Sequence, residues 1–216
     1  MDKLSLATYN CKHFRETRVA YCKKLLDICS IIFLQEHCLY EKQLNELQKL
    51  GEVLYHGVSS MDDSVPLLGR PYGGCAIIWK NELDVKFEAI KSECNRICAG
   101  VMTFTSGLRL LFINLYLPCD DRSISGSYNE LINVLTTVTH MINDVAHDLV
   151  IVGGDLNAEL KRASPHVNAV KEFISASNLM NGLSHPIAQV EHTFESMLCG
   201  SQSLIGLPYY VLQATF

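Results

Sequence analysis

The sequence predicts an α/β protein made of two packed β-sheets flanked by helices. Strand-like and helix-like segments alternate early and late in the chain, whereas its middle contains consecutive strand-like runs. Of the 216 residues, 48% are hydrophobic, which is enough to bury one substantial core. No linker rich in Pro, Gly or Ser and no block of charge divides the chain, so we expect a single domain.

Hydrophobic spacing places the individual elements. Apolar side chains recur on one helical face in four segments, at residues 15–29, 41–50, 128–145 and 168–177. Runs of β-branched and aromatic residues predict strands at residues 5–9, 31–34, 52–58, 75–79, 85–90, 97–104, 108–117 and from 149 onward. The Thr-Ser-Gly link at residues 105–107 predicts a hairpin turn.

The most informative stretch is LVIVGGDLN at residues 149–157. Its four apolar residues indicate a strand covered on both faces, and Gly153-Gly154 lets the backbone turn or lie against a ligand. Asp155 and Asn157 project to the same side if the extended backbone continues, giving a carboxylate for water or metal and an amide for a phosphate oxygen. Alone, the segment is equally compatible with a turn in which these side chains bond their own backbone.

Three other strands also end in polar residues. Asn10 follows the first strand, Glu36 follows the second, and Asn114 and Tyr116 lie near the end of the strand at residues 108–117. Each has an ordinary alternative: a cap for Asn10, a surface ion pair for Glu36 and core packing for Tyr116. Together with the Gly-Asp-x-Asn segment, they form a constellation that converging strands bring to one pocket.

Six segments carry a family resemblance: LATYNCKHF (6–14), IIFLQEHCL (31–39), GGCAIIWK (73–80), LLFINLYLP (110–118), LVIVGGDLNAEL (149–160) and HTFES (192–196). They resemble the endonuclease/exonuclease/phosphatase family of metal-dependent phosphoesterases, and within it most the endonuclease domain of LINE-type retrotransposons. The resemblance implies a four-layer α/β/β/α sandwich with the active site at one end. It covers residues 1–205 as one incomplete domain, followed by a divergent tail at residues 206–216.

The resemblance implies roles for the strand-end residues. Glu36 is the principal ligand of Mg²⁺, with Mn²⁺ as an alternative, and Asn10 lies beside it. Asp155 orients or deprotonates the attacking water, Asn157 holds a phosphate oxygen, and Tyr116 hydrogen-bonds the scissile phosphate. A hard cation takes oxygen ligands and keeps much of its water, so one Glu, one amide and the substrate phosphate suffice.

Further site residues complete the expectation. We expect Asn114 to act with the catalytic residues. We expect substrate to be bound by Lys12, Arg15, Thr193 and Ser203. The net charge of −5 disfavours nucleic-acid binding by the chain as a whole, so DNA binding depends on a local basic rim. Candidates for this rim are Lys12, Arg15, Arg70 and Lys161-Arg162, although any one of them alone is more typical of a charge on a solvated face than of a phosphate contact.

The chain departs from the family pattern towards its C-terminal end. Gly206 stands where the Asp that orients the catalytic His is expected, and the Ser-Asp-His ending has no counterpart. Cys119 follows the Pro at a position where nucleic-acid-cleaving members often carry Asn. Loss of a catalytic base and its orienting group typically costs several powers of ten in rate. We therefore expect an impaired or inactive nuclease domain, from a truncated or frame-shifted copy of a longer element.

The C-terminal tail itself is apolar. Residues 196–216 carry no charge, and the PYYVLQATF ending is rich in β-formers. We expect residues 204–216 to be partly disordered or packed in a manner foreign to the family. A sheet edge would then stay open and lower the solubility.

Cysteine content and hydropathy indicate the cellular compartment of the protein. Nine cysteines without a Cys-x-x-Cys pair argue against a disulfide framework and against structural zinc, and fit buried thiols in a reducing compartment. No signal-peptide core or membrane-length apolar run is present, so we expect an intracellular protein, nuclear or cytoplasmic, that does not engage a membrane.

Three functions stay open at this point. The first is a Mg²⁺-dependent DNA endonuclease of retrotransposon type. The second is a catalytically dead relic that at most binds nucleic acid, with weak DNA binding as an ancestral property. The third is a phosphatase acting on a soluble or lipid phosphoester. No obligate protein partner is indicated.

Overall fold

A computed structural model describes residues 4–64, 69–120, 126–158, 163–181 and 212–214 of the protein. Its strands are β1 (Leu6–Asn10), β2 (Ile31–Gln35), β3 (Val53–Val58), β4 (Cys75–Lys80), β5 (Val85–Ile90), β6 (Ile97–Phe104), β7 (Arg109–Tyr116), β8 (Leu149–Asp155), β9 (Leu179–Asn181) and β10 (Leu212–Ala214). Its helices are α1 (Glu16–Ile28), α2 (Ser127–Asp144) and α3 (Pro165–Ala176), with a 3-10 helix at Glu41–Leu50.

The strands form two mixed sheets. The first sheet has the order β1-β2-β4-β3, and the second has the order β5-β6-β7-β8-β10-β9. Each sheet contains one parallel pair, β1 with β2 and β7 with β8, and the other pairings are antiparallel. In the parallel pairs Asn10 is level with Gln35, and Tyr116 is level with Asp155. The polar ends of four strands are therefore brought together in pairs.

Three hydrophobic clusters hold the layers together. Between the sheets, Ile31 and Phe33 of β2 pack in one cluster with Phe112 of β7. The alternate β2 residues, Ile32 and Leu34, pack on the outer side with α1 and the 3-10 helix, while α2 and α3 cover the second sheet. Strand β2 is buried on both faces, and its first four residues are accordingly all apolar. The predicted α/β/β/α sandwich is confirmed.

One predicted helix has a different geometry. Residues 41–50 form a 3-10 helix, not an α-helix, with Leu44, Leu47 and Leu50 buried. A 3-10 helix has three residues per turn, so leucines spaced by three fall on a single line facing the core. The spacing of the leucines was the available signal for this geometry.

The start of α3 also differs from the prediction. The helix begins at Pro165, earlier than the apolar spacing at residues 168–177 indicates. Ser164 caps it, since its hydroxyl accepts a hydrogen bond from the Val167 N–H at 3.3 Å. Proline at the first helical position after a serine cap is a sequence signal for a helix start.

Gly154 is required for a reason other than the one predicted. Its φ is +129°, and a Cβ at this position would fall against the carbonyl oxygen of Leu115 in β7. The glycine therefore permits close approach of two strand backbones, and β8 continues through it to Asp155. The predicted turn is therefore not observed at Gly154.

Part of the tail joins the second sheet. Strand β10 lies antiparallel to both β8 and β9, with Leu212 level with Val152 and with Asn181. At residues 212–214 the tail is therefore a strand of the second sheet and leaves no open edge on β8 there, because short β-forming segments pair readily with an available edge. The other residues of the predicted tail lie outside the described part of the chain.

The described cysteines are free thiols, in agreement with the absence of a predicted disulfide framework. Six of these eight are buried, Cys94 is half-buried and Cys119 is exposed. Cys98 lies in β6, whereas Cys94 precedes that strand. Within the ranges given above, no helix has the length and apolar character needed to cross a bilayer.

Candidate functional site

Asn10 connects two carboxylates that come from different sheets. Its Nδ2 donates a hydrogen bond to Glu36 Oε1 at 2.8 Å and another to Asp155 Oδ2 at 2.8 Å. A single amide nitrogen carries two hydrogens, so it satisfies both acceptors at once. Asn10 ends β1 and Glu36 follows β2 in the first sheet, whereas Asp155 ends β8 in the second. Three predicted site residues thus meet at one point.

The turns that follow β1 and β2 are locked against each other. The Cys11 N–H donates to the Gln35 carbonyl at 2.9 Å, and the His13 N–H donates to the Glu36 carbonyl at 2.8 Å. A third bond of this series joins Phe14 to the His37 carbonyl at 3.0 Å. These main-chain bonds extend the β1–β2 pairing beyond the strands and fix the backbone of Glu36.

Both turns contain strained backbone. Four residues other than glycine have positive φ there: Lys12 at 44°, His13 at 90°, Glu36 at 51° and Cys38 at 56°. Such conformations cost about 1–3 kcal/mol each and persist where the surrounding structure imposes them. At Glu36 the left-handed conformation turns the chain sharply at the end of a buried strand. A cluster of this kind is typical of functional sites.

Asp155 is a nearly buried carboxylate, 5% exposed. Its pKa is raised above the ordinary value of 3.8, chiefly by burial and also by the neighbouring Glu36 carboxylate. The hydrogen bonds from Asn10 and from the Asn157 N–H act in the opposite direction, as does the positive charge of Lys12. The carboxylate is therefore held in place by two donors while its proton affinity is increased.

Tyr116 meets Glu36 at the same edge. Burial raises the tyrosine pKa well above its ordinary value, and the negative charge of the Glu36 carboxylate and its hydrogen-bonding interaction with the phenol act in the same direction. The phenol is therefore a protonated hydrogen-bond donor at any physiological pH. Through this contact, β7 joins the cluster formed by Asn10, Glu36 and Asp155.

Arg96 supports Tyr116 and was not predicted from the sequence. Its guanidinium lies 5.2 Å from the centre of the Tyr116 ring, and its Nη1 donates to the Tyr116 carbonyl at 3.3 Å. Two further hydrogen bonds reach Glu130, from Nε at 2.6 Å and from Nη2 at 3.2 Å. An arginine just before a strand gives no sequence signal for such a role, because its partners are distant in the chain.

Asn157 forms a turn. Its φ is +46°, so the extended backbone assumed for the Asp-x-Asn pair does not continue past Asp155. The Asn157 N–H donates to Asp155 Oδ1 at 3.0 Å, and its Nδ2 donates to the Leu117 carbonyl at 2.7 Å. The ordinary turn and the site coexist, because Asp155 uses one oxygen for the turn and the other for Asn10. Among the described residues, one amide hydrogen of Asn157 is left for another acceptor.

Asn114 lies in the buried interior between the sheets. Its Oδ1 accepts from Gln35 Nε2 at 2.7 Å, and its Nδ2 donates to the carbonyls of Leu34 at 3.0 Å and Ala76 at 2.8 Å. Both amide hydrogens and the oxygen are engaged by protein groups, and the side chain is fully buried. The geometry gives Asn114 a structural role in joining the sheets below the site, in place of direct contact with a substrate.

A cleft beside Glu36 gathers the basic residues. It has a volume of about 470 Å³ and is lined by Lys12, His13, Arg15, Glu36, Cys38, Arg70 and Pro71. Three residues proposed separately for a basic rim thus lie around the predicted metal ligand. Lys161-Arg162, Thr193 and Ser203 fall outside the described residues.

Histidines in the described part of the chain differ in their surroundings. His13 lines the cleft, whereas His37 is fully buried, and burial lowers its pKa to about 4. His166 lies 3.5 Å from Asp120. His13 thus lines the same cleft as Glu36.

The donor set fits a hard divalent cation in an open site. The described residues contain no group of three or more His, Cys, Asp and Glu side chains arranged around one point, so they form no closed cage. They do provide two carboxylates beside one amide, with an unfavourable interaction between the carboxylates that raises the pKa of Asp155. Mg²⁺ requires few protein oxygens, since it retains several waters and takes substrate oxygens as ligands.

Solved structures share this fold. No family model and no curated protein sequence matches the chain. The catalytic domain of Xenopus laevis APE2 has a TM-score of 0.70 and 16% identity, covering 98% of this chain and 82% of that one. An AP endonuclease from Archaeoglobus fulgidus has a TM-score of 0.64 and 19% identity, covering 98% and 87%.

A phosphatase is among the similar structures as well. The Neisseria 3′ phosphatase NExo, solved with a product DNA hairpin, has a TM-score of 0.59 and 19% identity, covering 84% of this chain and 74% of that one. These likenesses establish that the chain has the fold of the endonuclease/exonuclease/phosphatase proteins, a fold used by nucleases and phosphatases. At such identities they establish the fold alone.

Proposed function

We propose that the chain is a divalent-metal-dependent phosphoesterase domain that cleaves phosphodiester bonds of DNA, as an endonuclease of retrotransposon type. The observation that carries this proposal is the Asn10 amide, which joins Glu36 and Asp155 from opposite sheets. Tyr116 adds a protonated donor to the same cluster. Carboxylates, an amide and a phenol at one edge of an α/β sandwich match the needs of phosphate ester hydrolysis.

Glu36, with Asn10 beside it, would hold Mg²⁺ or Mn²⁺. When bound, the cation supplies positive charge that neutralises the phosphate and the leaving oxygen. Tyr116 donates a hydrogen bond to a phosphate oxygen, and the remaining amide hydrogen of Asn157 does the same. Asp155 accepts a hydrogen bond from the attacking water and removes its proton, and its raised pKa brings this carboxylate closer to the range in which a general base is effective.

Low turnover is part of the proposal. The resemblance places an Asp that orients a catalytic His at Gly206, and glycine has no side chain for this task. Removing a group that orients a catalytic base costs several powers of ten in well-studied enzymes. We therefore expect slow hydrolysis supported mainly by the metal ligands and the positioning groups.

A phosphatase of the same fold is the second candidate. The Neisseria 3′ phosphatase and a mannosyl-6-phosphatase from Bacteroides thetaiotaomicron share this architecture, the latter with a TM-score of 0.62. Glu36, Asp155 and Tyr116 serve either kind of ester. The cleft with Lys12, Arg15 and Arg70 extends positive charge beyond a single phosphate, which favours a polyanionic diester over a small monoester.

Hydrolysis assays test the proposal. We expect the chain to hydrolyse bis(p-nitrophenyl) phosphate and to nick supercoiled plasmid with Mg²⁺ or Mn²⁺, and not with EDTA. Glu36→Gln should lower either rate by about a hundredfold or more, because the principal metal ligand is lost. Faster cleavage of p-nitrophenyl phosphate than of the diester would favour the phosphatase.

Glu46→Gln is the matched control, since Glu46 lies on the 3-10 helix and pairs only with the surface residue Lys49 among the described groups. Metal should also raise the melting temperature of the parent chain and of the control but not that of Glu36→Gln. A metal-induced rise without hydrolysis identifies a relic that retains the ion site. Unchanged hydrolysis in Glu36→Gln contradicts the site.

A further inference from the structure

The cleft beside Glu36 carries more positive charge than a single phosphate requires. Lys12, Arg15 and Arg70 line it together, although the chain as a whole has a net charge of −5. Local clusters of cations on an acidic protein concentrate the field at one place and attract repeating anions. A nucleic-acid strand presents such a series of phosphates.

An exposed aromatic residue comes directly after two cleft-lining residues in the sequence. Tyr72 comes after Arg70 and Pro71, which both line the cleft, and 56% of Tyr72 is exposed. Its ring makes no stacking contact with another described ring. Tyr21, the other exposed tyrosine of the described part, differs because its ring packs against Tyr9 with 4.7 Å between centroids.

The backbone next to Tyr72 is fixed to the turn that carries Glu36. The Gly73 carbonyl accepts a hydrogen bond from the Cys38 N–H at 2.9 Å, and the Gly74 N–H donates to Ser60 Oγ at 2.8 Å. Gly74 has φ +87°, and a Cβ there would fall on the His37 ring. Tyr72 is therefore presented from a pinned segment close to Glu36, which reduces the entropy lost on binding a ligand.

We propose that this cleft binds a single-stranded or unpaired stretch of nucleic acid beside the scissile phosphate, with Tyr72 stacked on a nucleobase and Lys12, Arg15 and Arg70 on flanking phosphates. The inference deepens the proposed function and rests on it for the position of the scissile phosphate. Aromatic rings interleaved with basic side chains form the usual binding surface for unpaired strands, since every base has a π-face.

Binding of a short single-stranded DNA oligonucleotide containing 2-aminopurine, measured with the full chain in EDTA, tests the proposal. Tyr72→Leu should weaken binding about tenfold and abolish the quenching of 2-aminopurine, whereas Tyr72→Phe should retain both. Tyr21→Leu is the matched control and should bind as the parent chain does. Tyr72 is exposed, so Tyr72→Leu is expected to fold, and circular dichroism checks this.

Salt dependence separates the phosphate contacts from the stacking. Arg70→Ala should reduce the slope of log affinity against log salt by about one. Arg109→Ala is the control and should leave this slope unchanged, because Arg109 begins β7 whereas Tyr116 of the site ends it. Parent-like affinity of Tyr72→Leu would overturn the proposal, as would an equal affinity of the parent chain for the fully paired duplex.

Failure of the two proposals can be told apart. Binding is measured without metal, so a chain that binds through Tyr72 but never hydrolyses a phosphodiester overturns the proposed function alone. A chain with Glu36-dependent hydrolysis whose binding ignores Tyr72 overturns the stacking alone.

Discussion

The two sheets contribute to the site in different ways. The first sheet supplies Asn10 at the end of β1 and Glu36 just beyond β2, next to turns whose backbone is left-handed at several residues. The second sheet supplies Tyr116 and Asp155 from within β7 and β8, level with each other in a parallel pair. One half is therefore held by strained turns and main-chain bonds, and the other by regular strand pairing and burial.

This difference indicates how the site keeps its geometry. The rigid half, Tyr116 and Asp155 of the second sheet, fixes the buried Asp155 carboxylate. The strained half, Asn10 and Glu36 of the first sheet, places Glu36 next to it across the gap between the sheets. Asn10 is the bridge, since its amide bonds to both carboxylates. Disturbing the strand packing of the rigid half should mainly cost stability, and disturbing the polar side chains of the site should mainly cost metal binding or turnover.

Gly154→Ala should have the largest effect on stability. The added Cβ meets the Leu115 backbone, which belongs to a paired strand and cannot move aside, so we expect a loss of about 3 kcal/mol or more. Urea denaturation measures it. Gly51→Ala is the matched control, because Gly51 also has positive φ, at +110°, but no atom within 4 Å of an added Cβ. Equal losses in both variants would show that β7 and β8 do not approach closely.

Asn114→Leu should come next. The substitution leaves the buried carbonyls of Leu34 and Ala76 without this donor and leaves Gln35 Nε2 with Thr8 as its remaining partner, at a cost of about 1–3 kcal/mol. The same denaturation experiment measures it. Gln35→Leu combined with Asn114→Leu should recover part of this loss, because the donor that had lost Asn114 is then removed. A neutral Asn114→Leu variant would mean that the amide does not join the sheets.

The pH dependence of stability should report on the bridge between the two halves. Burial raises the pKa of Asp155 in the folded chain, so the folded chain holds that proton more tightly than the unfolded chain. The charged carboxylate therefore opposes folding above the raised pKa, and this cost disappears as the pH falls through the raised pKa towards 3.8.

Glu36→Gln sharpens this test. It removes a negative charge that helps to raise the pKa of Asp155, so the gain in stability on acidification should begin at lower pH than in the parent chain. Chemical denaturation in EDTA across a pH series measures the shift, with Glu46→Gln as the control. Coincident profiles for Glu36→Gln and the parent would show that the two carboxylates do not interact.

Arg96→Lys should have the smallest effect on stability, below about 1 kcal/mol, because Glu130 is half exposed and surface ion pairs contribute little. We expect kcat to fall about tenfold with KM unchanged, since lysine lacks the planar group that lies over the Tyr116 ring and bonds its carbonyl. Steady-state kinetics on bis(p-nitrophenyl) phosphate measures this. If Arg96→Lys lowers kcat as much in a Tyr116→Phe variant as in the parent chain, Arg96 does not act through the Tyr116 hydroxyl.

The sequence predicts most of the fold because periodicity is a local signal. Strands β5 and β6 and the borders of α1 follow directly from the spacing of apolar residues. Two details had signals in the sequence that helical periodicity alone does not show. They are the leucine spacing of the 3-10 helix around Leu47 and the Ser-Pro start of α3 at Pro165.

The site is predictable only in part. Polar residues at strand ends give Asn10, Glu36 and Asp155, because strands that end at the same edge bring their last residues together. The roles of Arg96 and Asn114 depend on contacts between residues far apart in the sequence, such as Gln35 and Asn114, whose numbers differ by 79. The packing of the two sheets determines these contacts, and no local sequence pattern predicts that packing.

The central claim is that Glu36 and Asp155, from different sheets, act at one site, with Glu36 as the ligand of the cation and the Asp155 carboxylate beside it. Mn²⁺ binding to the parent chain, Glu36→Gln, Asp155→Asn and the double variant, followed by electron paramagnetic resonance, tests it most directly. We predict that each single variant weakens Mn²⁺ binding at least tenfold and that the double variant binds hardly more weakly than Glu36→Gln, because residues of one site are not additive. Additive losses, or undiminished Mn²⁺ binding in Glu36→Gln, would contradict the account.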